Sequence, residues 1–472
     1  MPILCASRRR PARAAIFVLA AALPAGCTSG PPPRSEDPRP NVILVTLDTV
    51  RADHLSAYGY SRRTSPNLDA FALGATRYEQ AMATAPWTVP SHASLFTGKM
   101  PFEHGAHSFE VASARENNVS PLRAEETALA EALQQEGYAT GAFVSNIGYL
   151  SPWTQLDQGF ATYTVEWGYA QRLNRDIRPW LERNRNQPFF LFINYMDAHR
   201  PYNASPRPGF LDPPAVQDQG QLLDRLIEHV LPGAAPPPPE LVQQVIDQYD
   251  TAIANLDEQL GVLLGWLREL NVFDNSLIII TSDHGEYFGE HNLVEHSKDV
   301  YQPAIRVPLL VKRPRQTEGA VEAELISLAR VPGLVMDCMP PAIAQRRRAL
   351  FDGAASAPVM AENSYSRTKD LFDPRWGARF NRVRTAIYDW PLKFIRSSDG
   401  RDELYNLLED PGELRNLAAS HASDAARLRE RLERFEAGRT RAPAGGVRAA
   451  ELSDEQRRIL RSLGYVGGDD GE

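Results

Sequence analysis

The feature of this sequence that most constrains its fold is a set of short, predominantly apolar segments of strand length. They alternate with helical patterns and occupy residues 42–47, 139–145, 189–195 and 277–281. Strands that are apolar on both faces are typical of sheets covered on both sides, and alternation with helices favours parallel pairing. The sequence therefore predicts an α/β fold with a mostly parallel central sheet and helices on both faces.

Helix signals fit this arrangement. Ser65 and Pro66 predict a helix start, as N-cap and first helical residue. Residues 125–136 predict a helix that ends before Gly137, and residues 240–270 predict one long helix or two joined ones. Residues 203–240 are rich in proline, which predicts a surface excursion near the site entrance without a core of its own.

The pattern changes after about residue 358. Residues 385–388 and 392–397 predict antiparallel strands, and residues 423–438 and 453–463 predict helices. A chain of 472 residues is long enough for one large and one smaller unit. We therefore predict a catalytic domain over residues 41–350 and a small C-terminal α+β subdomain over residues 356–472.

Residues 1–26 have the pattern of an export signal. Four arginines precede an apolar stretch at residues 14–23, which is too short to span a bilayer comfortably. Small residues before Cys27 are typical of a bacterial lipoprotein, in which Cys27 would carry a lipid anchor to the membrane; ordinary signal cleavage nearby is the alternative. Residues 27–40 would then be a proline-rich tether, and the protein would face the periplasm of the bacterial cell envelope.

The net charge and the cysteine content indicate which binding partners and which disulfides the chain can have. The formal net charge is −8, and an acidic protein is not steered toward nucleic acid by its overall field. Of three cysteines, Cys5 lies in the signal and Cys27 would carry lipid. Cys338 is then left without a disulfide partner, and we expect it to be a buried small side chain.

Acidic residues follow three of the predicted strands. Asp48, Asp197 and Asp283 each come just after an apolar run. Ligand sites in such sheets gather at the carboxyl ends of the strands, and three acids at one edge would repel each other unless a cation binds. The sequence therefore predicts a metal site at this edge.

Several motifs occur in a fixed order along the chain. They lie at residues 41–54, 85–98, 190–202, 282–291, 301–311 and 403–413. Together they resemble the sulfatase family, a branch of the alkaline-phosphatase-like enzymes, over roughly residues 41–416. The resemblance implies a metal-dependent hydrolase of sulfate or phosphate esters, whose substrate would be an anionic ester on a glycan, lipid or small molecule.

The motif at residues 85–98 departs from the family pattern. Typical sulfatases have Cys or Ser, oxidised to formylglycine, where this chain has Thr88, and Arg where it has His92. Threonine is a secondary alcohol and cannot be oxidised to an aldehyde. We therefore expect Thr88 to act unmodified as the catalytic nucleophile, and His92 to orient it or to bind the anion.

The resemblance also supplies the metal ligands, which are Asp48, Thr88, Asp283 and His284. A hydroxyl on a metal has a depressed pKa and becomes a usable nucleophile. Typical sulfatases have a second acid where this chain has Thr49, a change that weakens a calcium-type oxygen cage. The remaining set resembles that of bacterial phosphoethanolamine and lipoteichoic-acid transferases, which use a threonine nucleophile with zinc or manganese. One divalent ion is expected, with calcium, zinc and manganese left open.

Three further residues are candidates for contact with the substrate. His199 matches the substrate histidine of the family and is expected to protonate the leaving group or to bind the anion. His296 and Lys298 lie where the family has a sulfate-binding lysine, and we expect substrate binding from them.

Three functions fit these residues. The first is an exported hydrolase with a covalent ester on Thr88. The second is a transferase that passes a phospho-linked group to a cell-envelope acceptor, although the sequence ahead of the domain lacks the bundle of transmembrane helices that such transferases usually carry. The third is a sulfatase-fold protein that binds an anionic glycan without turnover, as the changes at positions 49 and 92 would allow.

Overall fold

The computed structural model describes residues 38–443, except residues 114–117, 203–204, 208, 211–218, 234–235 and 355–356. The predicted export signal, most of the tether and the helix at residues 453–463 lie outside the described residues. No described helix is both long enough and apolar enough to cross a membrane.

Fourteen strands are present in the described part of the chain. In chain order they are β1 Asn41–Leu47, β2 Thr76–Met82, β3 Ala139–Val144, β4 Thr162–Val165, β5 Phe189–Tyr195, β6 Ser276–Thr281, β7 Tyr287–Phe288, β8 Val294–Glu295, β9 Arg306–Lys312, β10 Ala320–Ser327, β11 Met360–Ser364, β12 Val383–Asp389, β13 Leu392–Ser397 and β14 Glu403–Asn406.

The α-helices connect these strands and cover the sheets. In chain order they are α1 Pro66–Ala72, α2 Thr88–Thr97, α3 Pro101–His104, α4 Leu129–Gln135, α5 Ala170–Asn184, α6 Gln219–Val230, α7 Pro239–Glu269, α8 Gln302–Ile305, α9 Val331–Asp337, α10 Pro341–Arg347, α11 Thr368–Leu371 and α12 Ala422–Ala437.

Eight strands form the central sheet, in the order β10-β2-β9-β6-β1-β5-β3-β4. Neighbouring strands are parallel except at β9, which runs antiparallel to both β2 and β6. The prediction of a mostly parallel sheet is therefore confirmed. Strand β1 lies between β5 and β6, so the residues that follow these three strands meet at one edge.

Hydrophobic packing covers both faces of this sheet. Alternate residues of β1 enter two separate cores, with Leu44 in one and Val45 in the other. Helices α2, α4, α9 and α10 pack in the first core, and α1, α5, α6 and α7 pack in the second. The apolar strand segments thus form a sheet that is buried on both sides, as their composition predicted.

The proline-rich excursion differs from its prediction. Residues 203–240 contain helix α6, and its apolar face, which includes Leu223 and Leu226, is buried in the second core. Because α6 packs beside the long helix α7, this segment is part of the helical layer rather than a surface excursion. Helix α7 is one continuous helix, and α4 begins at Leu129, later than the helix predicted from residue 125.

Strands β11 to β14 form a separate antiparallel sheet near the C-terminus. Helix α12 packs on one face through Leu428 and Leu432, and the other face packs against Tyr287, Tyr301 and their neighbours. A C-terminal antiparallel subdomain is therefore present. The boundary between residues 350 and 356 stays a prediction.

Substitution of Phe192 on β5 can measure how much the first hydrophobic core contributes to the stability of the fold. It is fully buried, and its ring centroid lies 4.9 Å from that of Phe96 and 5.7 Å from that of His92. We expect Phe192→Ala to lower the free energy of unfolding by about 3–5 kcal/mol because it leaves a cavity. Urea denaturation would measure the loss, with Val262→Ala on the exposed side of α7 as a control. Equal midpoints for the two variants would contradict the prediction.

Candidate active site

The carboxyl ends of β1 and β6 bring three potential metal ligands together. Asp48 follows β1, and Asp283 and His284 follow β6. One ligand atom from each lies within 4.8 Å of the others, and all three side chains are fully buried. The atoms that face each other, Asp48 Oδ1, Asp283 Oδ2 and His284 Nε2, have no hydrogen-bond partner.

The opposite sides of these ligands are fixed by hydrogen bonds. Asp48 Oδ2 accepts from the amides of Asn146, at 3.0 Å, and Asn194, at 3.3 Å. Asp283 Oδ1 accepts from the backbone N–H groups of Thr49, at 3.3 Å, and His284, at 3.0 Å. His284 Nδ1 donates to the carbonyl of Gly285 at 2.9 Å, which leaves a lone pair on Nε2. Such outer contacts orient metal ligands.

The electrostatics of this cluster call for a cation. Burial raises the pKa of Asp48 to about 7, and the charge of Asp283 adds to the shift. Burial likewise raises the pKa of Asp283 to about 7 and lowers the pKa of His284. Three unpartnered acceptors that face one another fit a divalent ion, and two carboxylates with one imidazole suit zinc or manganese. The identity of the metal stays open.

Two other residues at this edge are outside the cluster. Thr49 Oγ1 lies 2.7 Å from the carbonyl oxygen of Asp48 and 2.8 Å from that of Ala198, so its hydroxyl is bonded to the backbone. The Asp197 carboxylate accepts from the backbone N–H of Ala170 at 2.9 Å and caps helix α5. The structure brings Asp48 and Asp283 together as that expectation requires, whereas Asp197 lies outside the cluster, and its predicted place beside them is corrected.

A tight turn after β6 places Asp283 and His284. The backbone N–H of Gly285 donates to the carbonyl of Ala304 at 2.9 Å. A Cβ atom at position 285 would lie 2.0 Å from the carbonyl oxygen of Pro303. Only glycine allows this close approach of two backbones. The motif at residues 283–285 therefore contains two potential metal ligands and the glycine that lets their loop pack.

Thr88 is the first residue of α2 and is fully buried. Its Oγ1 lies 3.4 Å from Asn146 Nδ2, the same amide that donates to Asp48 at 3.0 Å. The N-terminus of a ten-residue helix also favours negative charge next to Thr88. The structure therefore brings Thr88 to the cluster of ligands through a shared amide donor.

His92, one turn further along α2, is hydrogen-bonded to the backbone of Thr88. Its Nδ1 donates to the backbone carbonyl of Thr88 at 2.9 Å, and its Nε2 lies 3.1 Å from the hydroxyl of Thr46. Burial lowers the pKa of His92 to about 3, so the ring is neutral. These contacts favour the orienting role predicted for His92 over anion binding.

Two more histidines stand beside His284. The ring centroid of His296 lies 4.6 Å from that of His284 and 5.1 Å from that of His199. His199 Nδ1 donates to the carbonyl of Arg200 at 2.9 Å, and His296 Nδ1 lies 3.2 Å from Glu286 Oε1. Burial lowers the pKa of both rings, that of His199 to about 3. Both predicted residues are therefore at the site, as neutral rings in the free protein.

Lys298 is buried in an ion-pair cluster instead of pointing to a substrate. Its Nζ lies 3.1 Å from Glu295, 3.3 Å from Asp370 and 3.5 Å from the carbonyl of His296. The ammonium thus donates to Glu295 and to the carbonyl of His296 and forms an ion pair with Asp370. The contacts of Lys298 thus argue against the predicted direct role in substrate binding.

Sequence patterns missed the two amides that hold Asp48. Asn194 lies on β5 and Asn146 just after β3, at the same edge as the acids. The rule that identified the acids, a polar residue at the carboxyl end of a parallel strand, would have found both asparagines as well. Arg367 comes from the C-terminal part of the chain, and no sequence signal connects it to this edge.

Comparison with known proteins identifies the family. The model of the sulfatase family matches residues 40–341, which is more than half of the chain. The chain belongs to the sulfatase family. The predicted resemblance to the sulfatase family is thereby confirmed.

Individual relatives of this sulfatase-family chain are distant. Human N-sulphoglucosamine sulphohydrolase is 28% identical over 320 residues, which are 63% of this chain and 61% of that protein. The arylsulfatase of Clostridium perfringens is 23% identical over 454 residues, covering 81% of this chain and 91% of that one. The phosphonate monoester hydrolase of Agrobacterium radiobacter has a TM-score of 0.62 at 20% identity, over 85% of this chain and 96% of that chain. The chain thus spans less than two thirds of the human relative.

The metal site can be tested with Asp283→Ala. We expect this variant to lose stoichiometric zinc or manganese, measured by elemental mass spectrometry, because one of two carboxylate ligands is gone. Asp197→Asn removes another buried carboxylate at the same edge, so it is the matched control and should retain the metal. Full metal content in a folded Asp283→Ala protein would refute the assignment.

The same site should show competition between metal and protons. The pKa of each free carboxyl, Asp48 and Asp283, lies near 7, so each must release a proton below that pH before the cation binds. We expect metal affinity to fall by roughly tenfold per pH unit for each carboxyl below its pKa. Competition with a chelator between about pH 8 and pH 6 would measure this dependence.

Proposed function

We propose that this chain is a metal-dependent hydrolase of sulfate or phosphate esters in which Thr88 Oγ1 is the nucleophile. The observation that carries the proposal is the shared amide of Asn146, which contacts both Thr88 Oγ1 and the metal ligand Asp48. A nucleophile beside a cluster of unpartnered ligands is the arrangement that metal-assisted ester cleavage needs. The substrate would be an anionic ester of a glycan, a lipid or a small molecule.

A divalent ion held by Asp48, Asp283 and His284, with Thr88 as fourth ligand, would lower the pKa of the Thr88 hydroxyl and withdraw charge from the ester. Thr88 Oγ1 then forms a bond to phosphorus or sulfur, and the bond to the leaving-group oxygen breaks. Water cleaves the resulting ester and restores the threonine. His92 fixes the carbonyl of Thr88 throughout, through the bond from its Nδ1.

Phosphate esters suit this chemistry better than sulfate esters. A sulfated formylglycine is released by elimination from its second hydroxyl, and threonine has no second hydroxyl. A phospho-threonine, in contrast, can be hydrolysed by direct attack of water on phosphorus. We therefore propose that phosphate mono- or diesters are the preferred substrates.

His199 is the proposed donor of a proton to the leaving group. In the free protein it is neutral, because burial lowers its pKa to about 3, and its Nδ1 proton is directed to the carbonyl of Arg200. A bound anionic ester would raise this pKa by its negative charge. The imidazole would then take up a second proton in the complex and deliver it to the departing oxygen.

The location of the protein is a further part of this proposal. The arginine-rich start and the small residues before Cys27 support export and a lipid anchor at Cys27 in the bacterial cell envelope. An anionic ester of the envelope or of the medium would then be the substrate. Labelling of Cys27 with a radioactive fatty acid, and its loss in Cys27→Ser, would test the anchor.

Substitution of Thr88 tests the nucleophile. Thr88→Ala should lower kcat by roughly three or more orders of magnitude, the scale of removing a covalent nucleophile. Thr88→Ser keeps the hydroxyl and should retain measurable activity on aryl phosphates. Thr97→Ser changes a hydroxyl of the same helix that donates to the carbonyl of Ala93 at 2.7 Å and accepts from the backbone N–H of Lys99 at 3.3 Å, and it is the matched control. An active Thr88→Ala protein that prefers aryl sulfates over aryl phosphates would overturn the mechanism.

The proposed role of His199 predicts a dependence on the leaving group. His199→Ala should lower kcat/KM by about two to four orders of magnitude for alkyl esters, whose leaving oxygen needs a proton. The loss should be much smaller for nitrophenyl esters, because nitrophenolate leaves without protonation. Steady-state kinetics on both ester types would measure the difference. Equal losses on both would assign His199 to binding alone.

A further inference from the structure

Next to the active site lies a buried cluster of charged side chains centred on Glu295, which we call the Glu295 cluster. Its members are Arg200, Glu295, Lys298, Arg367, Lys369 and Asp370. Arg367 Nη2 donates to Glu295 at 2.6 Å, and its Nε donates to Asp370 at 3.1 Å. The two carboxylates thus hold the guanidinium in one orientation.

The Glu295 cluster contains more cations than anions. Four basic side chains surround two buried carboxylates, those of Glu295 and Asp370, and burial lowers the pKa of one of the four, Lys369, to about 7. The other described carboxylate in contact is Asp224, which lies 3.3 Å from Arg200 and is 65% exposed. A surplus of buried positive charge is costly unless an anion compensates it. The charge balance of the cluster therefore favours the binding of an anionic ligand.

Unpartnered donors show where an anion would bind. Arg367 Nη1 is buried and has no acceptor, although the other two nitrogens of the guanidinium are paired. Arg200 Nε is also buried without a partner. In the metal cluster the unpartnered atoms are acceptors, which fit a cation, whereas here they are donors, which fit an oxyanion.

A contact with Glu295 places Arg367 close to the proposed active site. Glu295, which it binds, directly precedes His296, whose ring lies against the ligand His284.

On the other side of the site, burial raises the pKa of Tyr149, and the charge of Arg367 opposes the shift. The backbone N–H of Tyr149 donates to Asn146, the amide that contacts Thr88, at 2.9 Å. The charge of Arg367 thus also acts on Tyr149, which is hydrogen-bonded to Asn146.

We propose that Arg367 and Lys369 form a second anion-binding subsite, which holds a negatively charged group of the substrate other than the ester that is cleaved. The substrate class is then an ester that carries a second sulfate, phosphate or carboxylate close to the first. Lys369 is the accessible member, since its side chain is 21% exposed while that of Arg367 is 4% exposed. The inferred substrate class rests on the proposed function, whereas the inferred anion-binding subsite does not depend on it.

Titration with inorganic sulfate tests the subsite without turnover. In the Asp283→Ala protein, which is expected to lack the metal, we expect calorimetry at low salt to show one sulfate bound per chain. Adding Arg367→Gln should weaken this binding by about 10- to 100-fold, the worth of one or two charge-assisted hydrogen bonds. Adding Lys369→Gln should weaken it by a smaller factor, several-fold, because Lys369 is partly exposed.

Two further variants serve as controls for the sulfate titration. Arg396→Gln removes an arginine that is paired to Glu436 at 2.7 Å and is not a member of the Glu295 cluster, and it should leave sulfate binding unchanged. Arg367→Lys keeps the charge and its pairing with Glu295 and should bind sulfate with intermediate affinity, even where Arg367→Gln does not fold. Absence of sulfate binding in the Asp283→Ala protein, or unchanged affinity in both folded Arg367→Lys and Lys369→Gln variants, would overturn the proposal.

Kinetics separate this inference from the proposed function. The wild-type protein should show a lower KM for glucose 1,6-bisphosphate than for glucose 6-phosphate, and Lys369→Gln should remove most of that difference. No hydrolysis of any ester, with sulfate binding still dependent on Arg367, would refute the hydrolase and leave the subsite. Hydrolysis with sulfate binding independent of Arg367 and Lys369 would refute the subsite alone.

Discussion

Two carboxylates of like charge, Asp48 and Asp283, are buried together at the edge of the central sheet. Burial and mutual repulsion raise the pKa of Asp48 to about 7, and burial raises that of Asp283 to the same value. Such a pair is unfavourable in a protein interior unless a cation or protons neutralise it. The contacts around the site follow from this constraint, because each ligand has one side fixed by donors and the other side left open.

Each supporting group serves this pair in a different way. Asn146 and Asn194 neutralise one oxygen of Asp48 by hydrogen bonding, and backbone N–H groups do the same for Asp283. Gly285 lets the loop that carries Asp283 approach the backbone of Pro303. The result is a group of acceptors whose orientation is fixed by hydrogen bonds within the protein, which is a condition for efficient electrostatic catalysis.

The positive charge near the site comes from a different part of the chain. His92, His199 and His296 are neutral in the free protein because burial lowers their pKa. Arg367 and Lys369, which lie between β11 and the end of α11, provide charge from the C-terminal region instead. The ends of the central strands and helix α2 thus carry the proposed ligands and nucleophile, while a segment outside the sheet supplies cations.

The sequence by itself determined the fold class and which acids lie together at the edge of the sheet. Apolar strands without alternation require a sheet that is covered on both faces, and parallel strands bring Asp48 and Asp283 to one edge, so the local pattern was sufficient. Tertiary structure alone decided that Asp197 caps α5, that Lys298 is held by Glu295 and Asp370, and that α6 is buried. It also decided that Arg367 reaches the site. These outcomes depend on contacts between residues that are far apart in the chain. The packing of the whole fold decides which residues form such contacts, and local periodicity in the sequence does not.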